Sequence, residues 1–196
     1  MGFLDSIVSI INTPVNDWAV THVIGVKTSG IAISLQSRST DFEGLLPCVA
    51  DHFDDPIYCG VDDQYGFVSY HKVTGRNRRL IKESSYGASI GMIEDIAQMQ
   101  LHVWADRRKL KMTAETLDEM IVSKMPVNLT KTQLSSLGLK YVEIVPAGTN
   151  YDSTAIFASE YRTDGNRLPS NSILIVISYQ VTSRYNKDCD PPCQNC

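Results

Sequence analysis

The chain has 196 residues, 43% of them hydrophobic and 20% charged, with a formal net charge of -4. That balance excludes wholesale disorder, and the acidic excess argues against a protein that grips nucleic acid by neutralising phosphates in bulk. No apolar run approaches the roughly 20 residues needed to cross a bilayer, and the start, Met-Gly-Phe-Leu-Asp, lacks the basic flank of a signal peptide, so a soluble chain not exported by that route is expected.

The first element is a short amphipathic helix. Phe3, Leu4, Ile7, Val8 and Ile11 share one helical face, and Asn12-Thr13-Pro14 is expected to stop it, because the residue before proline avoids the helical region. Trp18 to Val26 is ambiguous between helix and strand. Ile31, Ile33 and Leu35 alternate as a strand after a Ser29-Gly30 turn. Residues 37–63 are acidic and loop-like, broken by Pro47, Pro56 and Gly60, with room for a short helix from Phe42 to Phe53. Gly66 to Val73 reads as a strand, Thr74-Gly75-Arg76-Asn77 as a turn, and Arg78 to Glu83 as the returning strand of a hairpin. Ser84 to Ser89 reads as a mobile loop.

Met99, Leu101, Val103 and Ala105 alternate with polar or larger residues, the period of a half-buried strand. After a basic turn at Arg107–Lys111, Thr113 is placed to N-cap a helix. Leu117, Met120, Ile121 and Met125 form its stripe, and Pro126 ends it. Thr130 and Gln133 have capping-box spacing for a second short helix closed by Gly138. Tyr141 to Val145 is a strand broken by Pro146-Ala147-Gly148, and Ala155 to Tyr161 reads as extended. Ser172 to Ser183, rich in β-branched residues, is the strongest strand of the chain. The order describes an α+β fold: a mixed or antiparallel sheet with the helix at about 113–125 on one face and the N-terminal helix beside it. One domain is expected over residues 1–187. Residues 1–66 supply the helix and loops, residues 67–187 the sheet and helix, and residues 188–196 a flexible cysteine-rich tail.

Chemistry-bearing motifs are sparse. No phosphate-cradling glycine loop and no Gly-x-Ser-x-Gly elbow is present. His22, His52, His71 and His102 stand singly. His71 and His102 occupy strand positions, where a solvent-facing or hydrogen-bonded core imidazole is commoner than a ligand. Cys48, Asp51, His52, Asp54, Asp55 and Cys59 gather a thiol, an imidazole and carboxylates, the raw material of a thiol hydrolase. Catalytic Cys and His usually come from distant segments, however, and an acidic connecting loop explains the cluster more cheaply. Cys189, Cys193 and Cys196 offer three thiolates to a zinc ion and lack a fourth ligand. Two basic groups remain: Arg76, Arg78, Arg79 and Lys82, and Arg107, Arg108, Lys109 and Lys111. Both read as loop tips, solvated by default or, if copies repeat around a ring, set against an acidic surface such as the Asp51–Asp63 segment of an adjacent copy or the phosphates of DNA passing through.

The run Val103-Trp104-Ala105-Asp106-Arg107-Arg108, the helix carrying Ala114, Leu117 and Ile121, and the final strand Ile173-Leu174-Ile175-Val176-Ile177-Ser178-Tyr179 resemble bacteriophage tail-terminator and tail-completion proteins of the head–tail neck. The likeness covers about the last half of the chain. It implies a virion structural protein, assembled in the host cytoplasm. Its subunits would form a homo-oligomeric ring that bridges portal-side and tail-side proteins and lets DNA pass without sequence-specific binding. The resemblance brings no catalytic residue, cofactor or metal, and no membrane partner. The candidate interface residues are Phe3, Leu4 and Ile7 on the first helix, Arg76, Arg78 and Arg79, Arg107, Arg108 and Lys109, and Ile175 and Ile177 on a final strand expected to lie at the sheet edge.

Overall fold

A computed structural model describes residues 3–32, 66–85, 88–156 and 172–186. In chain order these form α1 (Phe3–His22), β1 (Val26–Ala32), β2 (Phe67–Ser85), β3 (Ala88–Asp106), α2 (Ala114–Lys124), α3 (Lys131–Ser136), β4 (Tyr141–Asn150), α4 (Ser153–Ile156) and β5 (Ser172–Asn186). The five strands make one sheet in the order β1-β2-β3-β5-β4. β1 runs parallel to β2, and the other pairings are antiparallel. The fold is α+β with a mixed sheet.

The core lies between α1, α2 and one face of the sheet. Ala97, Met99, Leu101, Val103 and Ala105 of β3 alternate into it beside Ile173, Ile175, Ile177, Tyr179 and Val181 of β5. α1 meets them with Phe3, Ile7, Val8, Ile11, Val15, Trp18 and Ala19, and α2 with Leu117 and Ile121. Thr113 caps α2, its Oγ1 accepting from the Thr116 N–H at 3.2 Å. Thr130 and Gln133 form the expected capping box on α3, and Gly138 follows that helix at φ 67°.

Several expectations fail for physical reasons. The first helix does not stop at Pro14, which lies inside α1. The proline forfeits one backbone bond and costs about 3 kcal/mol. The stripe continues through Val15, Trp18 and Ala19, all buried, and burying such side chains returns about 1.5–3 kcal/mol for each large one. Ser29-Gly30 is a bulge within β1, between Thr28 and Ile31, and not a turn before a strand. Thr74-Gly75 is likewise a bulge in a continuous β2, so the expected hairpin at 74–77 is absent. The returning strand is β3, and strand pairing reaches Ser84 and Ser89, which were expected to be loop. Pro146-Ala147-Gly148 bends β4 without ending it, since β4 is an edge strand and an edge tolerates proline. Ala155 and Ile156 belong to the short α4 and are not extended.

β5 is not an edge. It runs between β3 and β4, and Ser172 to Ile177 are all buried. A run apolar at both parities is the mark of a central strand, covered on both faces. β3 behaves the same way from Leu101 to Asp106, where it was expected to be half-buried. Ile33–Leu35, Phe42–Phe53, residues 157–161, Cys48–Cys59 and Cys189–Cys196 lie outside the described residues.

Gly66 joins the α1–β1 corner to β2. Its N–H bonds the carbonyls of Ile24 and Gly25, and its own carbonyl accepts from Asp106. A Cβ there would stand 2.5 Å from the Ile24 carbonyl oxygen, 2.8 Å from Lys109 Cδ and 2.9 Å from Val23 Cγ1. The nearest atom is backbone and cannot swing away. Gly66→Ala is expected to destabilise the fold by about 1–3 kcal/mol in urea unfolding, whereas Gly75→Ala, 3.8 Å from its nearest neighbours, is expected to be near neutral.

Candidate functional site

β2 and β3 are each 19 residues long and pair along their whole length, against a usual strand of about 5–6 residues. Among the described residues, β1 pairs with β2 from Phe67 to Lys72, and β5 pairs with β3 from Met92 to Asp106. Paired with each other throughout, β2 and β3 form one long arm of the sheet. Residues 76–80 of β2 are exposed, Leu80 among them.

Two buried carboxylates anchor the arm. Glu94 and Asp95 are consecutive on β3, so their side chains leave opposite faces of the sheet. Each is only 1% exposed. On the helix-bearing face, Asp95 accepts from Arg76 Nε at 2.8 Å and from its Nη2, and from Arg78 Nε and Nη2 at 3.3 and 3.2 Å. On the other face, Glu94 accepts from Arg79 Nε at 2.6 Å and Arg184 Nε at 2.8 Å. The Arg184 and Arg79 bonds outweigh burial and hold the Glu94 carboxyl below its ordinary range, and the bond to Asp95 raises the Arg76 guanidinium. Aromatic rings complete the clamps: Arg76 lies over Phe3 at 5.2 Å, Arg78 over Tyr185 at 6.0 Å and Arg184 over Tyr141 at 5.0 Å.

The candidate interface residues fall in four places: on α1, on β2, at the far end of β3 and on β5. Arg76, Arg78 and Arg79 stand together on β2, on a strand and not on the loop tip expected for them. Phe3 joins them through the Arg76 contact. Phe3 is 7% exposed and Ile7 fully buried, both in the chain's own core, with Leu4 packed partly buried against it. Ile175 and Ile177 are fully buried and do not reach the surface, which corrects their assignment to an interface. Arg107, Arg108 and Lys109 lie at the far end of β3. There Arg108 donates from Nε at 3.0 Å and Nη2 at 2.7 Å to Asp106. Burial pushes the Asp106 carboxyl up, but the side-chain and backbone bonds from Arg108 outweigh it and the net shift is downward.

Sequence reasoning missed Glu94, Asp95 and Arg184. The signal was present: two adjacent acids between Ile93 and Ile96 in a strand, where acids are depleted unless paired.

Both strand histidines are buried and neutral. His71 Nδ1 lies 2.6 Å from the Tyr179 hydroxyl and Nε2 2.7 Å from Asn12 Oδ1. The amide oxygen only accepts, so Nε2 carries the proton and Nδ1 accepts from Tyr179. His102, on the opposite face, stacks on Tyr70 at 4.8 Å and reaches Gln100 Oε1 at 3.3 Å. Burial lowers both imidazoles from 6.5 to about 3, and Lys72 adds to the effect at His102. The folded state therefore refuses protons that the unfolded chain takes up below pH 6.5. Stability is full above that pH and falls as the pH drops toward 3, by up to about 1.4 kcal/mol per pH unit for each histidine. Glu94 and Glu115, held below their ordinary 4.5, and Asp106, held below 3.8, contribute in the same direction at lower pH, so the upper part of the fall, within about one unit below pH 6.5, belongs to the histidines. His102→Gln is expected to remove about half of that slope.

Among the described residues, no group of three or more His, Cys, Asp or Glu side chains is placed to hold a metal ion, and no helix is long and apolar enough to cross a membrane. No protein-family model matches the chain, and no curated protein matches it significantly.

Proposed function

We propose that this chain is a structural subunit of a bacteriophage virion. It would act in the neck or tail-joining region as a tail terminator or head–tail connector, forming a homo-oligomeric ring between portal-side and tail-side proteins. The observation that carries this reading is the β2–β3 arm. Two 19-residue strands pair along their whole length, and buried carboxylates on β3 grip exposed arginines on both faces of the sheet. Long strands that present charged side chains suit an assembly, where a sheet is extended or flanked by neighbouring chains. Copies joined head to tail through such a surface close into rings when the rotation permits.

The net charge of -4 suits a ring through which DNA slides without being held. The role proposed is mechanical, with no substrate and no cofactor. The test is quantitative peptide mass spectrometry of purified particles from a culture producing this protein. A fixed copy number per particle, a small multiple of the ring order, is the expected result. Absence from particles, together with turnover lost in Cys48→Ala, would replace this reading with that of a thiol hydrolase.

A further inference from the structure

We infer that the corner where α1 passes into β1 docks an acidic amphipathic helix of a partner protein, on a patch formed by Val20, Ile24 and the basic turn Arg107–Lys111. The apolar part of the patch is unusual in its exposure. Ile24 and Val20, at 75% and 63%, are the two most exposed large hydrophobic side chains among the described residues. They stand four residues apart, about one helical turn, where α1 ends. The backbone holds Ile24 there: the Gly66 N–H donates to its carbonyl at 3.0 Å, and Gly25 turns the chain at φ 70°. Aliphatic side chains kept in water by a fixed backbone favour whatever molecule covers them.

Charge lies directly beside them. The Ile24 carbonyl oxygen and Lys109 Cδ stand 2.5 and 2.8 Å from one point, the position a Cβ on Gly66 would take. The basic turn is therefore built against this corner. Leu110, 2% exposed, roots the turn in the core, and the Lys109 and Leu110 N–H groups donate to the Asp106 carbonyl at 3.0 and 2.7 Å. Arg107 and Lys111 are exposed on either side of that root. The Arg108 side chain is 56% exposed while it holds Asp106. A rooted turn presents its cations with little ordering left to do on binding.

These two features together choose the partner. A helix with an aliphatic stripe covers Val20 and Ile24, and carboxylates flanking the stripe meet the cations. A phosphate backbone satisfies the cations and leaves both aliphatic side chains in water. An anionic bilayer is broad and would also press on Asp17, about one turn before Val20, and on Glu115 at the start of α2, both exposed. A single helix leaves those carboxylates to solvent. A second copy presenting the same face would set cation against cation. The site goes beyond the virion reading and does not rest on it, since an acidic helix of any partner protein fits it.

The test uses the full chain and a fluorescein-labelled peptide of about 18 residues, with Leu along one helical face and Glu on its flanks. Fluorescence anisotropy gives the affinity and amide hydrogen exchange the location. The expected result is saturable binding tighter than about 1 mM, with slowed exchange confined to residues 20–25 and 107–111. Ile24→Asn is expected to weaken binding at least about fivefold and Lys111→Glu several-fold, the latter effect shrinking as salt is raised. Both side chains are exposed, so circular dichroism is expected to show an unchanged fold. Val127→Asn, at another exposed aliphatic beside the edge strand β4, is expected to leave binding unchanged. No saturable binding, equal binding by Ile24→Asn, protection elsewhere in the chain, or tighter binding to phosphatidylserine vesicles or to duplex DNA would each overturn the proposal. Concentration-dependent protection of the same residues without peptide would also overturn it and assign the patch to a second copy.

Discussion

Replacing both Arg76 and Arg78 by alanine should destabilise the chain by about 3–5 kcal/mol. The two arginines are the hydrogen-bonding cations of Asp95, a carboxylate with 1% of its side chain exposed. Removing them strands a charge in a medium that solvates it poorly, and that stranding dominates the cost. Each single replacement leaves one guanidinium in place and should cost much less than half of the double change. That non-additivity marks two groups sharing one partner. Adding Asp95→Val to the double variant removes the stranded charge and should recover much of the loss. Urea unfolding of the four proteins measures all of this. Equal, additive single effects would mean that Asp95 draws its stabilisation from elsewhere.

Ile175→Ala should cost about 2–5 kcal/mol, the range for deleting a large aliphatic side chain from a packed site. Ile175 is fully buried at the centre of the sheet, opposite Val103 of β3. The cavity would open between two strands and under α1 and α2, where little can move in to fill it. Had β5 been an edge strand completed by a neighbouring copy, the same change would weaken assembly and spare the monomer. The structure predicts the reverse: lower unfolding stability at every protein concentration.

These two positions also show what was legible in the residues. Local chemistry was readable. Thr113 and the Thr130–Gln133 pair announce their helix starts through side chains that bond the adjacent backbone, and both caps form. The strand character of residues 172–183 was equally plain from β-branched residues. Position within the sheet was not, because strand order depends on partners distant in the chain. Thr74-Gly75-Arg76-Asn77 has the composition of a turn and forms a bulge, since pairing with β3 on both sides of it holds β2 in line. Pro14 reads as a stop and is overruled by the apolar stripe on either side. The arginines were noticed as a basic cluster. Their meaning lay in Glu94 and Asp95, 15 to 19 residues away, which only the antiparallel register brings alongside.

Electron cryomicroscopy of intact particles is the most direct test of the central claim, that this chain is assembly material whose β2–β3 arm is completed by other chains. The account predicts a closed ring at the neck, fitted by the described sheet, with each arm packed against a neighbouring polypeptide. A ring position occupied wholly by other proteins, or arms projecting into solvent on every subunit, would contradict it.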